Sequence, residues 1–377
     1  MAGFQLVETP SALEAAAQAL RGADTLFVDT EFESTRESTR ICLLQVRASE
    51  GQTYLIDTLK LGALDPLREP FSAPDVEWVL HAGMQDVHLL VDRLRIPPPP
   101  SLFDTQIAWA LLSPEGSVSL AYLCFRLLGL RSSKAHQADD WTRRPLGPSL
   151  LEYAASDVAY LGELRDQLGE KARALGREQI VRDASRETLS PLREPPPPLT
   201  LESFRNAWQL EPPNQAALRF IIDWHNGLSR EDKERAPETK VLLSIASRLP
   251  ESVDALARIK GVPRGFSERR GKAFVGELQR AAQAARAEDF VPIDPAPYAT
   301  FEEIRLDGWL SAARAEVCAT VKAAPELVMP GRILKNMHQA VALAGRGEAA
   351  LDVLSGWRRA LVEEAFLGFC KGKPAPL

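Results

Sequence analysis

Cysteine is scarce in this chain and is not arranged for metal binding or for disulfide formation. Only four cysteines occur among the 377 residues, and no two of them form a CxxC pair. Their sequence neighbours are mainly apolar, which is typical of thiols buried in a hydrophobic core. The sequence therefore argues against a thiolate zinc site and against a disulfide framework.

Long apolar runs and a basic leader are missing as well. No stretch approaches the roughly 20 consecutive apolar residues that span a bilayer. The first 20 residues contain acidic residues and no basic ones, unlike a secretory signal. We therefore expect a cytoplasmic protein without membrane association, and the sequence gives no sign of an obligate protein partner.

The chain also lacks the positive charge of a uniformly basic nucleic-acid-binding protein. Its 51 acidic residues exceed its 45 Lys and Arg residues, which gives a net charge of −6. Residues 1–190 hold 27 acids and 19 bases, whereas residues 201–280 hold 11 acids and 14 bases. An acidic segment can still act on a polyanion when divalent cations occupy its carboxylates.

Two proline-rich segments divide the chain into three parts. Four consecutive prolines at 191–199 favour an extended spacer, and a second proline cluster lies at 291–303. Before the first spacer, short β-rich runs at 25–29, 41–47, 53–57 and 78–81 precede helical patterns such as 84–94, 105–112, 120–128 and 149–168. After it, the patterns are almost exclusively helical, as at 215–226 and 350–369. We predict an α/β or α+β domain followed by two small helical bundles.

The first acidic motif follows the apolar run that begins at Thr25. Asp29 and Glu31 are separated by one residue, so in an extended chain their side chains point to the same face and can converge on one cation. In isolation, such a pair more often belongs to a solvent-exposed turn than to a metal site.

A second motif, HAGMQD, follows the apolar run 78–80. Gly83 is placed to let the chain turn into a helix that begins near Met84, with Asp86 in its first turn. A carboxylate there normally complements the helix dipole. His81 and His88 are better explained by packing or surface roles than by metal ligation.

The third motif is LLEYAASDVAYL, a strong helix former. Tyr153 and Asp157 are four residues apart and therefore neighbours on one helical face. Burying this aspartate is unfavourable unless it binds a cation or is hydrogen-bonded. The functional and structural interpretations are evenly balanced for this motif alone.

Together the motifs supply four carboxylates, which suit hard cations such as Mg²⁺ or Mn²⁺. Phosphodiester hydrolysis is the reaction that needs such a cage, with two ions about 3.5–4 Å apart at the attacking and leaving oxygens. A tyrosine beside Asp157, with an ordinary pKa of about 10, is a poor base but can orient the attacking water.

The blocks and their order resemble those of the ribonuclease D family of 3′–5′ exonucleases. The resemblance is carried by VDTEF with ICLLQV, by HAGMQD with SLFDTQIAWALL, by LLEYAASDVAYL and by the K-x-x-Q-x-x-D-W-x-x-R-P-L segment at 134–146. It implies an α/β RNase H-like exonuclease domain at 1–190, with a mixed sheet flanked by helices. A Pro-rich linker at 191–199, an HRDC domain at 200–285 and a second HRDC-like helical domain at 298–372 would follow.

The same resemblance implies the active site and its cofactors, two divalent metal ions (Mg²⁺ or Mn²⁺). Asp29 would bridge the ions, Glu31 and Asp157 would complete the nucleophile side, and Asp86 would serve the leaving-group side partly through water. Tyr153 would orient the water. The residues assigned as catalytic are Asp29, Glu31, Asp86, Tyr153 and Asp157, and the four acids among them are assigned as metal ligands.

Asp104 and the segment after DTEF accompany these motifs without belonging to the ligand set. Asp104, despite its FDTQ setting, is expected to be a helix N-cap that shapes the site rather than a ligand. The segment after DTEF lacks the aromatic–Pro pair that is common in the family, so contacts of this loop to the terminal nucleotide are left open.

Basic residues supply candidate contacts to nucleic acid. Six bases cluster at 258–272 around a turn before a predicted helix, where charge and free backbone N–H groups can hold phosphates. The alternative is a solvated surface run. The residues assigned to nucleic-acid binding are Arg36, Lys134, Arg144, Arg264, Arg269, Arg270 and Lys272.

The sequence therefore predicts a metal-dependent 3′–5′ exoribonuclease that hydrolyses phosphodiester bonds at RNA 3′ ends and releases nucleoside 5′-monophosphates. Its partners would be tRNA precursors or other structured RNA, in tRNA 3′ maturation or RNA turnover. Two alternatives remain: a DNA 3′–5′ exonuclease of the same superfamily, and a catalytically silent RNA-binding adaptor. A lost carboxylate would be the expected trace of an adaptor, and none is missing.

Overall fold

The computed structural model describes residues 3–34, 39–131, 139–189, 198–293 and 300–372. The predicted linker at 191–199 thus lies largely outside the described residues. The chain divides into two compact units, the first built from residues within 1–192 and 301–377 and the second from residues within 193–300. Among the described residues, no helix is both long and apolar enough to cross a membrane.

A six-stranded mixed sheet forms the centre of the first unit. Its strands are β1 (Phe4–Val7), β2 (Thr25–Ser34), β3 (Thr39–Ala48), β4 (Thr53–Ile56), β5 (Glu77–Leu80) and β6 (Ser101–Asp104). The order is β1-β4-β3-β2-β5-β6. β3 runs antiparallel to both of its neighbours, and the other pairs are parallel.

Helices follow or separate the strands. Those of the first 189 residues are α1 (Pro10–Leu20), α2 (Thr58–Leu61), α3 (Arg68–Phe71), α4 (Met84–Leu94), α5 (Thr105–Ala110), α6 (Leu120–Leu123), α7 (Pro148–Ala159), α8 (Leu161–Ala174) and α9 (Glu178–Glu187). A short 3₁₀ helix spans Asp65–Leu67, and a π-helical turn, Cys124–Leu128, continues α6.

The two faces of the sheet bury different cores. Leu26 and Val28 of β2 pack on one face with residues of α1 and α4. Phe27 points to the opposite face, where it packs with residues of α5, α7 and α8. Because side chains alternate along a strand, Asp29 and Glu31 share the second face, whereas Thr30 belongs to the first.

The C-terminal helices complete the core on this second face. They are α15 (Phe301–Val321), α16 (Pro325–Val328), α17 (Gly331–Ala344) and α18 (Gly356–Cys370), with a 3₁₀ helix at Gly347–Val353. Leu310 and Phe366 share a core cluster with Leu111, which follows α5. The Ala324 N–H donates a hydrogen bond to the Ala110 carbonyl at 2.7 Å. This part of the chain therefore packs directly on the helices that cover the second face of the sheet.

The second unit is helical. Its helices are α10 (Pro212–Asn226), α11 (Arg230–Arg235), α12 (Thr239–Arg248), α13 (Val253–Ala257) and α14 (Arg264–Gln283), with 3₁₀ helices at Leu201–Ser203, Ala207–Gln209 and Ala287–Asp289. Leu218, Leu242 and Phe274 lie in its core. The helical character agrees with the sequence pattern, while the HRDC identity and the exact domain limits stay predictions.

The predicted mixed sheet flanked by helices is confirmed. The helix predicted at 84–94 has those bounds, whereas the helix predicted at 149–168 is two helices that meet at Tyr160. The sequence pattern did not predict β1 or β6. Length alone does not explain the omission, because β4 and β5 also have four residues each and were predicted.

Candidate active site

Two acids project from the middle of β2, which continues beyond them to Ser34. Asp29 and Glu31 lie on the face of the sheet that α7 and α8 cover, in register with residues of β3. The pairing becomes irregular only after them, between Glu31 and Phe32. The ladder to β3 therefore fixes the backbone that carries both carboxylates.

A third acid is held from the opposite face. Asp86 lies in the first turn of α4 and accepts a hydrogen bond from the hydroxyl of Thr30. Thr30 lies between Asp29 and Glu31 in the sequence, and it is buried. One strand thus carries two acids and positions a third. Thr30 was not predicted from the sequence, although its place in the alternation of β2 was a usable signal.

Asp104 organises the turn before α4. Its carboxylate caps α5 by accepting from the backbone N–H of Gln106 at 2.8 Å, and it also accepts from the N–H groups of Ala82 and Gly83 at 3.1 and 3.0 Å. The predicted N-cap role is therefore confirmed. The added bonds tie the start of α4, and with it Asp86, to the end of β6.

The turn itself differs from the prediction in one respect. The residue with a left-handed backbone is Ala82, with φ of 55°, rather than Gly83. Glycine is required at position 83 by space, because a Cβ there would lie 2.5 Å from the Cβ of Leu80. The tight packing of this turn, not its backbone conformation, excludes a side chain.

Helix α7 supplies the last two predicted residues. Tyr153 and Asp157 are one helical turn apart, as the sequence predicted. Ala154 and Ala155 between them are buried against Leu43 of β3. These small side chains let α7 approach the sheet closely enough for Asp157 to meet the acids of β2.

The five predicted residues line a single cleft of about 580 Å³. Carboxylate oxygens of Asp29, Glu31 and Asp157 all lie within 4.8 Å of one another. Asp86 and Tyr153 lie on the wall of the same cleft, outside this group of three. The ring of Trp141, another wall residue, lies 6.2 Å from that of Tyr153, measured between centroids.

Burial and mutual repulsion raise the pKa of the clustered acids. Burial is the largest cause for Asp29, whose pKa lies well above its ordinary value, and the charges of Asp86, Asp157 and Glu31 add to it. Burial raises the pKa of Glu31 to about 8 and that of Asp157 to about 7. Burial also raises the pKa of Asp86, against the opposing effect of the Thr30 hydrogen bond.

No basic side chain compensates this charge within the described part of the chain. None of the ion pairs there involves any of the four acids. Closely spaced carboxylates in a partly desolvated cleft are the donor set of a hard divalent cation. The residues present therefore fit such an ion.

His81, which lines the cleft, is engaged in the fold. Its Nδ1 lies 2.9 Å from the Thr105 hydroxyl and its Nε2 lies 2.9 Å from the Val118 carbonyl. A carbonyl only accepts, so Nε2 carries the proton, and burial lowers the pKa of the ring. His81 is thus a neutral packing residue, in agreement with the interpretation favoured from its sequence context.

Arg144, which the sequence assigned to nucleic-acid binding, is engaged within the fold, and its contact with nucleic acid stays a prediction. Its guanidinium instead forms an ion pair with the buried carboxylate of Asp57, with Nε 2.5 Å and Nη2 2.9 Å from the two carboxylate oxygens. It also donates to the carbonyls of Trp141 and Cys42 at 2.7 and 2.9 Å. These bonds occupy every nitrogen, so Arg144 anchors the 139–147 loop to the sheet. Arg36 and Lys134 lie outside the described residues.

The remaining predicted contacts belong to the second unit, at the start of α14. Arg264, Arg269, Arg270 and Lys272 are all exposed. Arg264 pairs with Glu268 at 2.8 Å, and Arg270 pairs with Asp232 at 2.6 Å. We call these four residues the basic surface of α14.

Comparison with known proteins identifies the class of the first domain. A family profile described as 3′–5′ exonuclease matches residues 4–173, which include all five residues predicted to form the site. The fold and the cleft therefore define a 3′–5′ exonuclease domain.

Full-length relatives identify the family. Ribonuclease D of Gluconacetobacter diazotrophicus is 32% identical, over 99% of this chain and 95% of its own length. Ribonuclease D of Escherichia coli K12 is 27% identical, over 96% of this chain and 97% of its own length. The crystal structure of Escherichia coli RNase D, described as an exoribonuclease involved in structured RNA processing, covers 99% of this chain and 100% of its own, with a TM-score of 0.74 and 25% identity. The chain belongs to the ribonuclease D family, and the predicted enzyme class, a 3′–5′ exoribonuclease, is confirmed.

Proposed function

We propose that this enzyme hydrolyses the terminal phosphodiester bond at RNA 3′ ends with two divalent cations, Mg²⁺ or Mn²⁺, and releases nucleoside 5′-monophosphates. The observation that carries the proposal is the convergence of Asp29, Glu31 and Asp157 within 4.8 Å in a cleft that Asp86 and Tyr153 also line. When bound, the ions would act as Lewis acids toward the attacking water and the departing 3′ oxygen.

The four acids would hold the ions, and their placement divides the work. Asp29 and Glu31 come from a rigid strand, and Asp157 comes from a helix packed on it, so their separation is fixed before substrate arrives. Asp86 approaches from the other face and stands outside the group of three. This position suits a residue that would hold the ion at the departing 3′ oxygen, partly through a water molecule.

Tyr153 would position the attacking water by hydrogen bonding. Burial, followed by the charges of Asp157, Glu31 and Asp29, raises the pKa of its phenol above the ordinary value. The hydroxyl therefore stays protonated at neutral pH and can donate and accept hydrogen bonds. This environment does not favour Tyr153 as the base that removes a proton from the water.

Structured RNA with a 3′ extension, such as a tRNA precursor, is the substrate class that we propose. The Escherichia coli relative is described as an enzyme of structured RNA processing, which supports this choice. The exposed bases of the α14 surface would add contacts to backbone phosphates.

The experiment compares a tRNA precursor, a single-stranded RNA and a DNA of the same sequence, each labelled so that both shortened strand and released mononucleotide are seen. We expect stepwise shortening of RNA in Mn²⁺ or Mg²⁺, mononucleotide products and full inhibition by EDTA. Equal rates on DNA would contradict the substrate assignment. Cleavage that persists in EDTA would contradict the metal mechanism.

A further inference from the structure

A glutamine is buried next to the acidic cluster without a hydrogen-bond partner. Gln45 of β3 has 0% exposure. Neither its Oε1 nor its Nε2 bonds to any of the residues that the structure describes. Burying an unpaired amide is unfavourable, and most buried polar side chains are satisfied by protein or by water. A leucine at this position would avoid that cost, so the amide requires an explanation.

The sheet register places this amide beside Asp29. Gln45 pairs with Asp29 of β2 on one side and with Leu55 of β4 on the other. Residues directly opposite in an antiparallel pair have Cβ atoms about 4.5–5.5 Å apart on the same face. Leu43, two residues earlier on β3, and Leu55 both pack under α7, which fixes the face. Of the two cross-strand neighbours of Gln45, only Asp29 carries a polar side chain.

A neutral donor suits this position better than a basic residue. An Arg or Lys beside Asp29 would neutralise the cluster and compete with a divalent cation for the same oxygens. An amide N–H can hydrogen-bond the carboxylate oxygen that faces away from the ion without supplying charge. Carboxylates that bind metals are commonly held by such outer contacts, whose removal typically lowers metal affinity about 10- to 100-fold.

We propose that Gln45 is a positioning residue for Asp29: when a divalent cation binds, the Gln45 Nε2–H donates to the Asp29 carboxylate and fixes its orientation. The inference rests on the proposed metal site. The competing explanation is a buried water that satisfies the amide and has no effect on the metal.

The test measures Mn²⁺ binding by calorimetry on the full chain without RNA. Gln45→Met keeps the length of the side chain and removes the amide, and Gln45→Leu serves as a second variant if the first does not fold. Thr53→Val is the matched control, because Thr53 is also a buried residue of this sheet whose hydroxyl lacks a partner among the described residues. Asp157→Asn tests the metal site itself.

We expect Gln45→Met to bind Mn²⁺ about 10- to 100-fold more weakly, with a melting temperature in EDTA no lower than that of wild type. Excess Mn²⁺ should restore its turnover, and Thr53→Val should bind Mn²⁺ as wild type does. If Asp157→Asn loses Mn²⁺ while Gln45→Met keeps wild-type affinity, the positioning role is overturned and a structural water remains. If wild type itself does not bind Mn²⁺, the proposed metal mechanism fails, and the role of Gln45 fails with it.

Discussion

The two charged regions of this protein are built in opposite ways. The acids of the cleft are buried, close together and without a basic partner among the described residues, and their pKa values are raised. The bases of the α14 surface are exposed, and two of them pair with a nearby acid. Exposed pairs are usually worth about 0–1 kcal/mol. The cleft is therefore unfavourable until a cation binds, whereas the surface of α14 can change at little cost to the fold.

The largest effect should come from removing one acid of the cleft. We expect Asp157→Ala to lower kcat by at least about 1000-fold, because electrostatic stabilisation of the transition state is usually a dominant contribution to catalysis. Glu152→Gln changes an exposed acid of the same helix and should keep wild-type turnover. Measurement with 3′-labelled RNA checks both. Near-normal turnover of Asp157→Ala would place the chemistry elsewhere.

Removal of the Tyr153 hydroxyl should have a smaller effect. We expect Tyr153→Phe to reduce kcat by about 10- to 100-fold, since orientation of the water is lost while the ions are retained. Its Mn²⁺ affinity, measured by calorimetry, should match that of wild type. A loss of metal binding equal to that of Asp157→Asn would instead make Tyr153 part of the ligand framework.

The basic surface should act on binding and not on chemistry. Reversal of Arg269 and Arg270 to Glu should weaken RNA binding about 10-fold or less at low salt and make the dependence of log K on log salt shallower by about 2, one for each lost phosphate contact. Titration of labelled RNA over a series of salt concentrations measures both. Reversal of Arg248 and Arg286 to Glu, two exposed bases elsewhere in this unit, makes the same change in net charge and serves as the control. Unchanged affinity and slope would remove this surface from RNA binding.

The smallest expected effect is on the free energy of unfolding. Its dependence on pH is expected for the acidic cleft and not for the basic surface of α14. The folded-state pKa of Glu31, about 8, lies above the ordinary value of 4.5. The folded protein therefore binds more protons than the unfolded chain between those values, so its free energy of unfolding falls as pH rises through this range. In EDTA, Glu31→Gln should flatten this decline and melt a few degrees above wild type at pH 8.

Saturating Mn²⁺ should reverse the order, because wild type then gains the binding energy that Glu31→Gln has lost. Differential scanning calorimetry at pH 5 and pH 8 measures these changes. Arg269→Glu should show no such dependence on pH or metal. A Glu31→Gln protein that is less stable than wild type in EDTA at pH 8 would show that Glu31 has a stabilising partner instead of unfavourable neighbours.

The acidic residues of the site could be predicted because each motif carries its own local geometry. Asp29 and Glu31 follow the alternation of a strand, and Tyr153 and Asp157 follow the repeat of a helix. What local geometry could not give is the distance between motifs some 130 residues apart. The order of the blocks, and the family resemblance it carries, supplied that step.

The residues whose structural contacts the sequence did not reveal depend on tertiary packing. Arg144 lies in a loop whose sequence is polar, which suggests an exposed side chain. Its partner, Asp57, is distant in sequence and fully buried, so the sequence gives no sign of the ion pair. Gln45 stands inside the apolar run ICLLQVR, where a polar residue was a visible exception. Only the register with β2 shows that it faces Asp29.

The core shared by Leu111 and Phe366 has a consequence for biosynthesis. Chains are made from the N-terminus, and domains generally fold as they emerge. Here the helices that cover the second face of the sheet are themselves packed against α15 to α18, which are translated only after the whole second unit. The apolar surface of the exonuclease domain that packs against them stays uncovered on the ribosome until residues 301–370 have been made. The exonuclease domain therefore completes its core later than the helical unit that follows it in the chain.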